Sequence, residues 1–213
     1  MTGPLLSAAE LLGKPDEVAP TLLGCWLVAD RAEGTVAVRL TEVEAYSGEG
    51  MDPAAHSHRG PTPRAEIMFG PPGKLYVYFS YGVHWCANVV VGPPGVGSAV
   101  LLRAGEVVVG EPLARARRPA ATVARDLARG PARLTQALAI GPDDKDADLL
   151  SPSSSVRLHR GPAPSSVSVG PRVGISVATD LPWRFWETDA PSVSVFRAGG
   201  KPRRRRAGQD GIP

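Results

Sequence analysis

Hydrophobic and polar residues alternate along residues 35–41, where Val36, Val38 and Leu40 are separated by Thr35, Ala37, Arg39 and Thr41. A period of two puts aliphatic side chains on one side of an extended chain, so this stretch predicts a strand running on to Tyr46. LYVYF (75–79) and WCANVVV (85–91) predict the two strands of a hairpin joined by Ser-Tyr-Gly-Val-His. After the turn GPPGVG, SAVLLRA (98–104) and EVVVG predict further extended chain, and short strands are expected around 167–169, 173–177 and 193–196. Helical character is confined to the middle of the chain. Residues 111–130 are rich in Ala, Leu and Arg. A second helix is predicted after Gly130-Pro131, with Leu134, Ala137 and Leu138 on one face, ending at Gly141-Pro142. Ser7 and Glu10 have capping-box spacing for a short helix that stops near Gly13. Residues 47–73 form a loop rich in Pro, Gly and His, and the SPSSS run (151–155) reads as a loop, not a linker. Many short strands with few helices indicate an α+β domain dominated by antiparallel sheet.

Composition refines this picture modestly. A chain of 213 residues, 43% hydrophobic and 21% charged, suits one sizeable core. The formal net charge is +3, and Arg far outnumbers Lys. Arg grips phosphate in two-point fashion, which favours a polyanionic partner, although compositional bias accounts for it equally. Cys25 and Cys86 stand apart, outside any CxxC or Cys/His cluster, so neither a disulfide framework nor a zinc site is expected, and a reducing compartment fits. The N-terminus lacks a basic segment followed by an apolar run, and no stretch approaches the roughly 20 apolar residues that span a bilayer. A soluble cytoplasmic protein is expected, with no membrane partner. The end, KPRRRRAGQDGIP (201–213), has little to pack and is expected to be a disordered basic tail after a domain covering residues 1–200.

Several side chains stand out against these patterns. Unbroken alternation places Glu42, Glu44 and Tyr46 on the same strand face as Val36, Val38 and Leu40. A carboxylate on an apolar face is paired, protonated or functional, because burying it alone is costly; a strand that leaves the core at Leu40 would instead turn both acids to solvent. In the hairpin, Tyr76 and Tyr78 share one face while Leu75, Val77 and Phe79 share the other. Tyr81, in the turn beside Gly82, is either a wedge between base pairs or a ring folded back on its own hairpin. Asn88 interrupts an apolar strand and needs a hydrogen-bond partner or a ligand. Arg103, at the end of AVLLR, is satisfied by either a phosphate or a salt bridge.

LTEVEAY (40–46), AAHSHRGPTPR (54–64), MFGPPGKLYVYFSYGVHWCANVV (68–90), AVLLRAGE (99–106), GPARLTQAL (130–138) and PWRF (182–185) together resemble the alkyladenine (3-methyladenine) DNA glycosylase family. They occur in the family's order and span roughly residues 20 to 198. The resemblance implies a single α+β domain with a curved, mainly antiparallel β-sheet, a protruding β-hairpin and a few peripheral helices. It implies a monomeric, monofunctional glycosylase acting on double-stranded DNA that contains damaged purines, with no obligate protein partner, located at the nucleoid if bacterial. Glu44 matches the acid that activates the attacking water. Tyr46 and His56 match side chains that sandwich the flipped base, and Tyr78 matches the third aromatic wall. Tyr81 matches the ring that enters the duplex. Asn88 matches the side chain that obstructs the 2-amino group of guanine, and Arg103 matches an Arg that holds the backbone of the extruded nucleotide. Tyr76 lies in the same motif as support for the pocket. His84 stands where some relatives carry an aromatic residue.

These residue types suit hydrolysis at an anomeric carbon. The glycosidic bond breaks through an oxocarbenium-like transition state, and an ionised carboxylate both deprotonates water and stabilises the developing charge. That role asks Glu44 to stay charged, which argues against complete desolvation and for donors such as Arg103 or tyrosine hydroxyls nearby. Glu42 is the natural competitor and is read as a structural acid paired with a basic residue. Electron-rich tyrosine rings favour a cationic base by about 0.5–2 kcal/mol. No lysine is placed by motif to form a Schiff base near Glu44, so simple hydrolysis without strand cleavage is expected. No metal ligands cluster in the sequence, and no cofactor is expected.

Overall fold

In the computed structural model, which describes residues 3–80 and 82–200, the alternating segment becomes the longest strand of an eight-stranded antiparallel sheet. In chain order the elements are α1 (Pro15–Val18), β1 (Trp26–Arg31), β2 (Gly34–Tyr46), β3 (Leu75–Ser80), β4 (His84–Val91), β5 (Ser98–Val109), α2 (Glu111–Arg117), α3 (Pro131–Leu138), β6 (Val156–His159), β7 (Val167–Gly170) and β8 (Arg184–Glu187). The sheet order is β3-β4-β5-β2-β1-β6. Beyond the last residue paired with β1, β2 takes β8 as its neighbour, with Glu42 opposite Trp186 and Glu44 opposite Arg184, and β7 pairs with β8. The α+β architecture expected from the sequence is the one observed. No helix among the described residues is long and apolar enough to cross a membrane.

Local chemistry explains where the elements depart from expectation. The Ala-, Leu- and Arg-rich region yields α2 and a single 3-10 turn at Ala124–Asp126; α2 ends at Arg117 because Arg118 precedes Pro119, and a residue before proline is driven out of the helical region. Arg118 accordingly has φ −126° and ψ 56°. α3 begins at Pro131 as predicted but stops at Leu138, where Ala139 takes a left-handed conformation (φ 50°). Residues 173–177 and 193–196 are not strands, while β1, β6 and β8 were not anticipated. Phe79, which alternation puts on the hairpin face of Leu75 and Val77, is 46% exposed and leans on Trp85, with ring centroids 4.7 Å apart.

The fold's main departure lies within β2. Its register against β5 runs Leu40 to Gly105 and then Glu42 to Ala104, so Thr41 has no partner; one step later Val43 pairs with Leu102, and Arg103 has none. Two compensating bulges thus flank Glu42, and Glu44 follows in the regular ladder beyond them. Gly105 permits the close strand approach there, since a Cβ on it would meet the Arg39 carbonyl oxygen at 2.3 Å. The extra residue shifts the alternation by one. Val36, Val38 and Leu40 are followed in the main core by Val43 and Ala45, not by residues 42 and 44. Glu42, Glu44 and Tyr46 therefore leave the aliphatic face on which unbroken alternation puts them.

The sheet consequently has two unlike faces. One carries Leu75, Val77, Ala87, Val89, Val100 and Leu102, packed with Leu134, Ala137 and Leu138 of α3. Neighbouring registers align the other: Glu44 opposite Leu101, Leu101 opposite Asn88, and Asn88 opposite Tyr76. Part of this second face is covered by a small cluster in which Ala65 and Met68 of the 47–73 loop pack on Tyr76, Val90 and Ala99. The remainder is open.

Candidate active site

The open part of the second face is a cavity of about 550 Å³, within the roughly 300–1,000 Å³ typical of small-molecule sites. β2 contributes Tyr46, β3 contributes Tyr76 and Tyr78, β4 contributes Cys86 and Asn88, and β5 contributes Leu101 and Arg103. His56 and Arg64 reach it from the 47–73 loop, and Val173 closes it from the segment after β7. Because β-strand side chains two apart share a face, four adjacent strands supply a continuous wall.

The aromatic groups form one assembly. His56 and Tyr78 meet edge to face with centroids 4.6 Å apart, and Tyr76 lies 5.5 Å from Tyr78 at an interplanar angle of 30°. His56 Nδ1 and the Tyr76 hydroxyl are 2.9 Å apart, which fixes the imidazole. Burial, aided by the Arg64 cation, lowers the His56 pKa to about 4, so this ring is neutral at physiological pH. Burial likewise pushes the Tyr46 and Tyr78 hydroxyls well above their ordinary range, keeping both protonated. Asn88 is 4% exposed and donates from Nδ2 to the Tyr76 carbonyl oxygen at 3.0 Å, leaving Oδ1 without a protein donor among the described residues.

Glu44 lies directly behind this wall. Its Oε2 accepts from the Tyr46 hydroxyl (2.9 Å) and Arg103 Nη1 (3.2 Å), and its Oε1 accepts from the Val173 N–H (2.6 Å). All three donors line the cavity, but the carboxylate is not on its surface; it is 0% exposed. The expectation that Glu44 avoids complete desolvation is therefore overturned: the bulge carries it into the interior, and hydrogen bonds replace water. Burial raises its pKa against the opposing pull of Arg103, Val173 and Tyr46.

Glu42 has a different environment. It accepts from Arg103 Nε (2.8 Å), Arg184 Nε (2.7 Å), the Ser194 N–H (2.7 Å) and the Ser194 hydroxyl (2.9 Å). Burial pushes its pKa up, but the two guanidinium groups and the Ser194 N–H outweigh that and hold it below the ordinary value. Arg103, 5% exposed, bridges both acids and stays charged. The salt bridge that the sequence offers as one way to satisfy Arg103 is present, to both acids.

Tyr46, His56, Tyr76, Tyr78, Asn88 and Arg103 are thus brought to one cavity, with Glu44 bonded to its wall. Tyr81 and the 201–213 tail lie outside the described residues. His84 lies at the start of β4, exposed and outside the cavity lining. Other residues of the site carry no assignment from the sequence. Arg172 and Asp52, both fully buried, form a two-point ion pair with N–O distances of 2.5 and 2.9 Å. Arg172 also donates to the Ala45 carbonyl oxygen and lies 4.6 Å from the Tyr46 ring centroid. It ties the loop carrying His56 to the ring of Tyr46 and precedes Val173, whose N–H holds Glu44. A lone Arg in GPRVG and a lone Asp in a loop give no signal that they meet.

A flat-sided aromatic cavity with a base-strengthened carboxylate behind it suits the binding of a planar ring and hydrolysis beside it. Comparison with known proteins agrees. Residues 9–191 match the family model described as methylpurine-DNA glycosylase (MPG), and the chain belongs to that family. Among its relatives, a protein of Leifsonia xyli subsp. xyli is 52% identical over 188 residues, covering 85% of this chain and 87% of its own. One of Nocardia farcinica is 49% identical over 199 residues, covering 91% and 92%. One of Burkholderia lata is 53% identical over 171 residues, covering 79% and 81%. All three carry the name "Putative 3-methyladenine DNA glycosylase".

Proposed function

We propose that this protein is a monofunctional DNA glycosylase that flips alkylated or deaminated purines out of duplex DNA and hydrolyses the N-glycosidic bond, leaving an abasic site. The observation that carries this reading is the aromatic cavity whose wall residues Tyr46, Arg103 and Val173 all bond the Glu44 carboxylate. An extruded purine would stack against Tyr46, His56 and Tyr78, and stacking worth about 1–3 kcal/mol per base is comparable with the few kcal/mol lost on unstacking. Tyr76 fixes His56. Asn88, held in place by its hydrogen bond to the Tyr76 carbonyl oxygen, obstructs the 2-amino group of guanine. Tyr81 enters the duplex as the extruded base leaves it, and the Arg103 guanidinium faces the extruded nucleotide from the wall.

In the hydrolytic step Glu44 is the general base. Its Oε1 accepts a single hydrogen bond, so one lone pair remains for the attacking water. The raised pKa makes the carboxylate a stronger base, and its negative charge stabilises the oxocarbenium-like transition state. Lys74 Nζ donates to the Asp146 carbonyl oxygen and pairs with the Asp146 carboxylate, outside the cavity, which supports hydrolysis without a Schiff base.

Incubating the protein with duplexes holding one hypoxanthine or one 3-methyladenine, then cleaving abasic sites with alkali, tests the proposal. Free base and an alkali-dependent nick are expected. Stoichiometric lesion binding with no base release would identify an inactive binding module of the same fold; a nick formed without alkali would contradict the monofunctional assignment.

A further inference from the structure

Two cations lie on tyrosines of the cavity wall, and they differ in one respect. Arg172, 4.6 Å from the Tyr46 centroid, has its charge cancelled by the buried Asp52 carboxylate. Arg64, 5.1 Å from the Tyr78 centroid, lines the cavity, is exposed, and among the described residues no carboxylate pairs with it. Behind the wall the charges of Glu42 and Glu44 balance those of Arg103 and Arg184. His56 is neutral. Among the described residues, the unbalanced charge at the cavity is therefore that of Arg64.

We propose that Arg64 is a specificity-determining residue, whose guanidinium on the Tyr78 ring biases the pocket against bases carrying fixed positive charge and toward neutral ones. The inference rests on the glycosylase reading above. Tyrosine faces attract cations, and the sequence alone suggests a pocket that prefers alkylated, cationic purines. Arg64 already takes up that attraction at Tyr78, so an incoming cation must displace it or sit beside a like charge. A neutral base such as hypoxanthine meets no such opposition. The bias costs little catalysis, because purines alkylated at N3 or N7 already carry positive charge and depart easily. Neutral bases need the pocket more.

The test compares kcat/KM of the full-length protein on duplexes containing 7-methylguanine or hypoxanthine. Arg64→Gln should raise the ratio of 7-methylguanine to hypoxanthine release on the order of fivefold, as expected for removing one partly screened charge a few ångströms away. Arg64→Lys, which keeps the charge, should hold the ratio within about twofold of the native protein. The His56 pKa, followed by NMR, should rise in Arg64→Gln and not in Arg64→Lys, a readout independent of base release. An unchanged ratio in Arg64→Gln overturns the inference while leaving the glycosylase reading intact. Equal losses on both bases, with a shallower salt dependence, would make Arg64 a phosphate contact instead and also overturn it. If the native protein releases neither base, the glycosylase reading fails, and the selectivity falls with it.

Discussion

Glu42 and Glu44 sit two residues apart on one strand, share the ligand Arg103 and are equally shut off from solvent, yet their environments drive them in opposite directions. Around Glu42 two guanidinium groups and Ser194 donate four hydrogen bonds to the carboxylate and hold it ionised. Around Glu44 one guanidinium, one hydroxyl and one backbone N–H leave burial dominant, and the pKa rises. The difference teaches that burial does not decide the role of an acid; the number and charge of its donors do. Glu42 is a fixed anion that anchors Arg103 and Arg184. Glu44 is the stronger base and is bonded to three cavity-lining residues, Tyr46, Arg103 and Val173, where Glu42 reaches only Arg103. An acid–base pair of the two acting on simple glycosides is disfavoured, because two guanidinium groups hold Glu42 ionised and leave it no proton to donate.

The sharpest way to break this comparison is substitution at Glu44. Glu44→Gln keeps the shape and removes the base, so single-turnover base release should fall on the order of 10⁴-fold, with lesion affinity retained. Substantial residual turnover would assign the base elsewhere. Stability should respond differently. Arg103 keeps Glu42 as a partner, and an acid whose ionisation is opposed by burial is lost, so Glu44→Gln should melt no lower than the native protein at pH 7. Glu42→Gln should reverse the pattern. It leaves two buried guanidinium groups facing one fewer anion, costing about 3 kcal/mol, measured by urea denaturation. Equal stability of the two variants would erase the distinction.

The two acids also predict opposite pH dependences. The native pKa of Glu42 is depressed, so its stabilisation is complete above the ordinary value of 4.5 and is lost as pH falls through the native value. The native pKa of Glu44 is raised, so its ionisation costs stability as pH rises from 4.5 through the native value. Base release needs that ionised form and should climb about tenfold per pH unit below the native Glu44 pKa, then level off. A rate that increases toward acid would give Glu44 the role of a proton donor.

Much of the site, though not its depth, was legible in the sequence. Tyr76 and Tyr78 alternate with Leu75 and Val77 in an unbroken hairpin strand, and the structure sends them to the expected face. The same logic fails at Thr41. An extra residue in a bulge leaves no mark on a polarity pattern, because Val36–Leu40 and Val43–Ala45 each look regular by themselves. The position of Glu44 therefore followed from the family motif, while its face followed only from register. Arg172 and Asp52 are 120 residues apart and were invisible for another reason: nothing local records a long-range ion pair. Arg64 falls within a recognised motif, yet its charge acquires meaning only once Tyr78, from a separate element, lies beneath it.

The smallest expected effect tests how finely the donors around Glu44 are balanced. Tyr46→Phe keeps the ring, its contact with Arg172 and its place in the cavity, and removes only the hydroxyl that donates to Oε2 at 2.9 Å. Loss of one such bond to a charged acceptor costs about 1.5 kcal/mol or less, because Arg103 still reaches the same oxygen. With one donor fewer, the ionised form is less favoured and the pKa of Glu44 moves further up. The rate at neutral pH should fall only about fivefold, while the rising limb of the pH–rate curve shifts toward alkali. A lower rate with the limb unmoved would show that the hydroxyl acts on the substrate instead of on Glu44. A limb shifted toward acid would mean that Tyr46 shields Glu44 from water more than it stabilises its charge.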